Sequence, residues 1–123
     1  VDRGNASLAS RFTPLHPAVL RLIARTVEVG QAAKLDVSVC GEMASQPLMA
    51  YALLGLGVRQ LSVAAVGLSA VKAIVRGVTL EGAAVAAQAA LAAATAREAA
   101  HILRASLAQE LGDDLLDGLL GLA

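Results

Sequence analysis

Apolar residues follow two different spacings along this chain, and the change from one to the other predicts its elements. Leu20 and Val27 recur at helical intervals, and Leu68, Val71 and Val75 share one face of a later helix. Short runs of β-branched and apolar residues stand between them and are typical of strands. The predicted order is a helix that begins at Pro17 and closes within 30–34, a strand at 35–40, a helix at 47–54, a strand at 60–64 and a helix at 67–76.

This alternation predicts an α/β fold, because parallel strands are joined by helical crossovers. After Gly77 the pattern is helical only. The tail is predicted to hold an alanine-rich helix at 79–93, packed through Leu80, Val85 and Leu91. A second helix is predicted to start at the Thr95–Glu98 capping box and to carry Leu103, Leu107 and Leu111. A last short helix is predicted to be capped by Asp113.

The predicted sheet is incomplete, because two parallel strands leave both edges unpaired. The chain has 123 residues and begins with Val1 rather than methionine. We therefore expect a piece of a longer protein, in which residues 1–76 belong to a larger sheet and residues 77–123 form a helical extension.

Composition excludes several classes of function. Ten basic and ten acidic residues give a formal net charge of zero, and Phe12 and Tyr51 are the only aromatic residues. Neither a basic footprint nor a base-stacking surface for nucleic acid is present. The longest uncharged stretches, 43–58 and 82–96, are shorter than the ~18–20 apolar residues of a spanning helix. A single cysteine excludes an internal disulfide and fits a reducing compartment, so we expect a cytoplasmic protein.

Cys40 is the main candidate for chemistry, because it stands at the end of the first predicted strand. Gly41 and Glu42 follow it directly. Parallel α/β proteins place their reacting groups at the carboxyl ends of strands. A small buried apolar residue is the alternative interpretation of a free cysteine.

The other polar candidates are less specific. Arg3 could clamp a phosphate or a carboxylate, or be an exposed loop residue, and Asn5 could hold the same loop. His16 is predicted to be a helix-entry residue and His101 a surface or packing residue. Two isolated histidines and one cysteine do not make a zinc site, so no metal ligand is assigned.

Several motifs, taken in order, resemble the phosphoenolpyruvate-utilising enzymes. The nearest resemblance is to the phosphoenolpyruvate–protein phosphotransferases, enzyme I of the bacterial sugar phosphotransferase system. It covers residues 1–76 strongly and the helical tail weakly. The motifs are Asp2-Arg3-Gly4-Asn5, Pro14-Leu15-His16-Pro17-Ala18-Val19-Leu20-Arg21-Leu22-Ile23, Val39-Cys40-Gly41-Glu42-Met43-Ala44, Leu53-Leu54-Gly55-Leu56-Gly57 and Val71-Lys72-Ala73-Ile74-Val75-Arg76.

The resemblance implies a fold and roles for individual residues. Residues 1–76 would be the C-terminal part of a (β/α)8 TIM barrel, with its last two parallel strands, and 77–123 its alanine-rich helical extension. Arg3 would contact phosphoenolpyruvate, and Cys40 would exchange a proton with the methylene carbon of the pyruvate enolate. Asn5, Gly41 and Glu42 would support them.

The resemblance also implies partners that lie outside this chain. Mg²⁺ ligands would stand on earlier strands, and a phosphocarrier protein would be reached through N-terminal domains. The chain would then be inactive alone, and a homodimer or a self-associating fragment is expected. Two alternatives stay open: a fragment of pyruvate, phosphate dikinase or phosphoenolpyruvate synthase, and a non-catalytic self-associating module.

Overall fold

The computed structural model describes Ser7 and residues 12–121. Helices dominate these residues, and the two strands form one parallel pair. The elements are α1 (Pro17–Ala32), β1 (Ser38–Cys40), α2 (Glu42–Ser45), α3 (Pro47–Gly55), β2 (Gln60–Ser62), a 3-10 turn (Ala65–Gly67), α4 (Leu68–Gly77), α5 (Leu80–Ala92), α6 (Ala96–Leu111) and α7 (Asp113–Leu120).

Helix α1 begins and ends as the sequence predicts. Pro17 is its first residue, and Nδ1 of His16 accepts a hydrogen bond from the amide of Ala18 at 3.2 Å. The chain then turns at Lys34, whose φ of 57° is left-handed, and the amide of Leu35 donates to the carbonyl of Gly30 at 2.8 Å. Because Leu35 closes the helix, β1 begins at residue 38 and not at residue 35.

The sheet confirms the predicted parallel pairing but with shorter strands. Its register pairs Ser38 with Gln60, Val39 with Leu61, and Cys40 with Ser62. Val39 and Leu61 pack against the core, whereas the other four side chains are exposed. The strand predicted at 60–64 ends early, because the chain turns into the 3-10 helix at residue 65.

Helix α3 lies at the centre of the core. All six residues of 49–54 are buried, and α5 and α6 pack against them. The prediction that the alanine-rich segment forms a packed helix is correct, and Leu91 packs against the core as predicted, but the other two predicted packing side chains do not. Val85 is 68% exposed and Leu80 is 53% exposed. Alanines form the buried face of α5 instead, at positions 83, 86, 87 and 90.

The face predicted for α4 is wrong in part. Val71 is buried as expected, but Ile74 is its buried companion. Leu68 and Val75 are 49% and 50% exposed. Among the described residues, α3 packs against only one side of α4, so these two side chains remain exposed.

The tail begins with the predicted cap at Thr95. Its Oγ1 accepts from the amide of Glu98 at 3.1 Å, and a carboxylate oxygen of Glu98 accepts from the amide of Ala94 at 2.8 Å. The cap predicted at Asp113 is absent, because Gly112, with φ of 83°, occupies the cap position. Asp113 is instead the first residue of α7.

Polar contacts hold the outer helices in place. The guanidinium of Arg21 on α1 donates twice to the carbonyl of Leu91 on α5, at 2.9 and 2.7 Å. Arg104 and Asp117 form an ion pair between α6 and α7. Within the described part of the chain, no helix is both long enough and apolar enough to cross a membrane.

Candidate active site

The thiol of Cys40 lies at the carboxyl end of β1, directly opposite Ser62 of β2. Both side chains are exposed, and Cys40 forms no disulfide. Adjacent parallel strands present their carboxyl ends at one edge, so the two loops that follow them meet beside the thiol. The alternative interpretation of Cys40 as a buried structural residue is wrong.

Gly41 turns the chain away from the strand immediately after the thiol. Its φ of 87° and ψ of −163° lie in a region that strains a residue with a side chain, even though nothing would crowd a Cβ there. Glycine at this position lets α2 start directly, with Glu42 as its first residue. Cys40, Gly41 and Glu42 are therefore brought together as one turn at the strand end.

Ser45 joins the two loops at this edge of the sheet. Its hydroxyl accepts a hydrogen bond from the amide of Ala64 at 3.0 Å and donates to the carbonyl of Gly41 at 3.3 Å. The loop after β1 is thus tied to the loop after β2. No role was predicted for Ser45 from the sequence, because its partner Ala64 lies nineteen residues away in the chain.

The other predicted site residues lie away from this edge of the sheet or outside the described residues. Arg3 and Asn5 lie outside the described residues. His16 caps α1, and His101 is exposed on α6. Across residues 12–121, no three histidine, cysteine or acidic side chains gather closely enough to hold a metal ion.

A second polar cluster joins α3, α6 and the start of α5. The hydroxyl of buried Tyr51 donates to a carboxylate oxygen of Glu110 at 2.6 Å and lies 2.9 Å from Oγ of Ser106. The other oxygen of Glu110 accepts from the amide of Thr79 at 2.6 Å and from its hydroxyl at 2.9 Å. One carboxylate therefore holds three helices together.

The cluster shifts the pKa values of both ionisable partners. Burial, and then the hydrogen bond to the Glu110 carboxylate, raise the pKa of Tyr51 to about 12. Burial alone would raise the pKa of Glu110, but the hydrogen bonds from Tyr51 and Thr79 outweigh it and lower that pKa. In the sequence, this polar cluster was indicated only by the single tyrosine within an apolar run, because a buried hydroxyl needs a hydrogen-bond partner.

An apolar groove of about 260 Å³ lies beside β1. It runs between α1 and the strand, and its lining includes Leu22, Val37 and Met43. The outer edge of β1 has no strand partner among the described residues. Such an edge can pair with a further strand.

These features agree with what the comparisons with known proteins find. Residues 1–80 match the family described as PEP-utilising enzyme, PEP-binding domain. The match takes in well over half of the chain, so the chain belongs to this family of phosphoenolpyruvate-utilising enzymes. The predicted resemblance is thereby confirmed.

The similar curated proteins carry related names. The chain is 50% identical over 62 residues, half of its length, to the phosphoenolpyruvate-protein phosphotransferase of Cupriavidus necator. It is 38% identical over 101 residues, 82% of its length, to a protein of Salmonella typhimurium named phosphoenolpyruvate-dependent phosphotransferase system. It is 46% identical over 76 residues, 62% of its length, to the multiphosphoryl transfer protein of Rhodobacter capsulatus. The matched parts span only 11%, 14% and 9% of those three proteins.

Proposed function

We propose that this chain is the C-terminal part of a phosphoenolpyruvate–protein phosphotransferase and that Cys40 exchanges a proton with the reacting carbon. The observation that carries the proposal is the exposed thiol at the carboxyl end of β1, held in the Cys40-Gly41-Glu42 turn. Membership of the phosphoenolpyruvate-utilising family supplies the substrate class.

The proposed chemistry has two parts, of which this chain performs one. The phosphorus–oxygen bond of phosphoenolpyruvate breaks as the phosphoryl group passes to a histidine nitrogen, which leaves the enolate of pyruvate. The sulfur–hydrogen bond of Cys40 then breaks, and its proton forms a carbon–hydrogen bond at the methylene carbon, giving pyruvate and a thiolate. In reverse, the thiolate removes a methyl proton. General acid catalysis of this kind contributes ~10²–10⁴-fold in rate.

The supporting residues position the thiol and the substrate and do not take part in the proton transfer itself. The turn at Gly41 and the bridge made by Ser45 hold the thiol at the strand end. We propose that Arg3 contacts the substrate and that Asn5 orders its loop, as the resemblance implies. The described residues do not fit a magnesium site, so any Mg²⁺ of the complete protein is proposed to be held by other parts of it.

The complete protein is proposed to close β1 and β2 into a (β/α)8 barrel. Residues 1–76 would supply the last two strand–helix units, and 77–123 the helical extension. Two observations support this proposal: the strand edges that are unpaired among the described residues, and the apolar groove beside β1. We propose, as the resemblance implies, that the complete protein is a cytoplasmic homodimer that phosphorylates a phosphocarrier protein. The names of the relatives, phosphoenolpyruvate-protein phosphotransferase and multiphosphoryl transfer protein, support the phosphoryl-transfer part of this proposal.

The test uses the full-length protein with Cys40→Ala and Cys40→Ser. Deuterium exchange into the methyl group of pyruvate, and phosphoryl transfer to a carrier histidine, are measured beside phosphoenolpyruvate binding. We expect exchange to fall by ~10²-fold or more while binding is retained. Ser38→Ala is the matched control, because it changes the same face of the same strand. Unchanged exchange in both Cys40 variants would refute the role.

A second proposal concerns the isolated chain. We expect residues 1–123 alone to transfer no phosphoryl group, because the proposed acceptor and metal ligands stand elsewhere. The strand edges that are unpaired within residues 12–121 favour one non-catalytic alternative, in which the chain self-associates. Sedimentation of the purified chain tests this alternative, since a stable monomer excludes self-association.

A further inference from the structure

The strand pair has a face that points away from the core and carries no apolar side chain apart from the thiol. Side chains alternate along a strand, and Val39 and Leu61 are the two that pack against the core. The flanking side chains project from the opposite face and are exposed among the described residues. We call this set the polar sheet face; its members are Ser38, Cys40, Gln60 and Ser62.

Ser62 is the residue of the polar sheet face that lies opposite the thiol. The register pairs it with Cys40, and neighbouring strands lie ~4.7–4.9 Å apart. The sulfur and the hydroxyl oxygen each stand one bond beyond Cβ, so staggered rotamers can bring them within hydrogen-bond distance. The side chain of Ser62 forms no hydrogen bond within residues 12–121, so rotation of its hydroxyl toward the sulfur breaks no other contact there.

The other polar side chains at this edge, among the described residues, do not suit the same role. Ser38 lies two residues before Cys40, ~6.6 Å along the strand. The hydroxyl of Ser45 is already engaged in the bridge between the two loops. The elements that pack most closely against β1 in the described part of the chain are β2 and α2, and Glu42 is the ionisable side chain that they carry. Its negative charge opposes ionisation of a neighbouring thiol, so a neutral donor such as Ser62 is needed to favour the thiolate.

We propose that the hydroxyl of Ser62 donates a hydrogen bond to the sulfur of Cys40 when the sulfur is a thiolate. Ser62 is then a positioning residue for the proton exchange, and the proposal rests on the proposed function. When the sulfur–hydrogen bond breaks and its proton forms the carbon–hydrogen bond, the new negative charge is met by the O–H group of Ser62, which keeps its own proton. A hydrogen bond to an ionised acceptor is about twice as strong as one between neutral groups, so the contact favours the thiolate over the thiol.

The first test is alkylation of the full-length protein with iodoacetamide across a range of pH. The sulfur forms a bond to the reagent's carbon as iodide leaves, at a rate that follows the thiolate fraction, and peptide mass spectrometry follows Cys40 alone. We expect Ser62→Ala to raise the pH midpoint of alkylation by about one unit, which is about tenfold less thiolate at neutral pH. Ser62→Thr keeps the hydroxyl and should keep the midpoint. Ser38→Ala is the matched control, because it removes an exposed hydroxyl from the same face, and it should cause no shift.

The second test is deuterium exchange into the methyl group of pyruvate by the same full-length variants. We expect Ser62→Ala to lower the exchange rate about tenfold at neutral pH and to recover it at higher pH, where the thiolate forms without the hydrogen bond. The double variant Cys40→Ala/Ser62→Ala should exchange no more slowly than Cys40→Ala, because the hydroxyl acts only through the sulfur.

Three results would overturn the proposal. They are an unchanged alkylation midpoint in Ser62→Ala, equal midpoint shifts in Ser62→Ala and Ser38→Ala, and a further loss of exchange in the double variant. Alkylation does not depend on turnover, so the two proposals can fail separately. An unchanged midpoint in a protein whose exchange requires Cys40 refutes the contact alone. A shifted midpoint in a protein whose exchange does not require Cys40 refutes the proposed function and leaves the contact in place.

Discussion

Tyr51→Phe tests the cluster that fixes the tail helices to the centre of the core. The substitution keeps the ring, which is fully buried, and removes only the hydroxyl. That hydroxyl donates to the Glu110 carboxylate at 2.6 Å. A hydrogen bond to a charged group contributes ~1.5–3 kcal/mol, so we expect the free energy of unfolding to fall by this amount at neutral pH.

The pH dependence tests the environment of the same hydroxyl. The pKa of Tyr51 is raised from 10.0 to about 12, first by burial and then by the hydrogen bond to Glu110. The folded state favours the neutral phenol, so this stability is present below pH 10 and lost as pH rises through the folded value. The Phe variant has no phenol, so its deficit relative to wild type should shrink over that range.

Glu110 makes the free energy of unfolding depend on pH in the opposite sense, at low pH. Its folded pKa is lowered, so its stabilisation is present above the ordinary carboxyl pKa and is lost as pH falls through the folded value. Tyr51→Phe removes one of its donors and should make this acid loss smaller.

The assay is urea unfolding followed by circular dichroism, combined with titration of phenolate absorbance. Tyr51 is the only tyrosine and the chain has no tryptophan, so the absorbance change reports one group. Glu110→Gln provides the control, because Tyr51→Phe should cost only ~0.5–1.5 kcal/mol when the acceptor is neutral. Phenolate formation near pH 10 in the folded protein, or an unchanged free energy of unfolding for Tyr51→Phe, would contradict the hydrogen bond between Tyr51 and Glu110.

Three further substitutions, with Leu115→Ala as a control, test packing and the loop bridge by urea unfolding. Gly55→Ala places a Cβ against the backbone of α5 and should cost ~1–3 kcal/mol; no loss would show that the helices can separate freely. Ser45→Ala leaves the amide of Ala64 without its acceptor and should cost ~1 kcal/mol, so an unchanged midpoint would contradict the bridge. Leu103→Ala empties a fully buried site and should cost ~2–5 kcal/mol, whereas half-exposed Leu115→Ala should cost under ~0.5 kcal/mol; equal effects would contradict the assigned core.

The elements that local chemistry controls were predictable from sequence. Pro17 and Thr95 mark helix starts because a missing amide hydrogen and a capping hydroxyl act on residues within one turn. The helical spacing of Leu103 and Leu107 correctly identified the buried side of α6. The position of Cys40 at a strand end was also predictable, since the residues that favour the strand and those that favour the turn are adjacent in the chain.

Side-chain placement between distant elements was not predictable. The face of α4 was misjudged because apolar spacing does not show which neighbours are present, and Leu68 stays 49% exposed among the described residues. The alanine-rich helix packs through its smallest side chains because α5 approaches α3 closely at Gly55, where only small residues fit.

By itself, the sequence determined the family, the order of helices and strands, and the thiol at the end of β1. Only the tertiary structure decided that Ser45 bridges two loops and that Tyr51 donates a hydrogen bond to Glu110, fifty-nine residues away in the chain. The physical reason is the range of the interactions. Caps, turns and periodicity act within a few residues, whereas a buried polar group takes its partner from whichever helix the fold brings within hydrogen-bond distance.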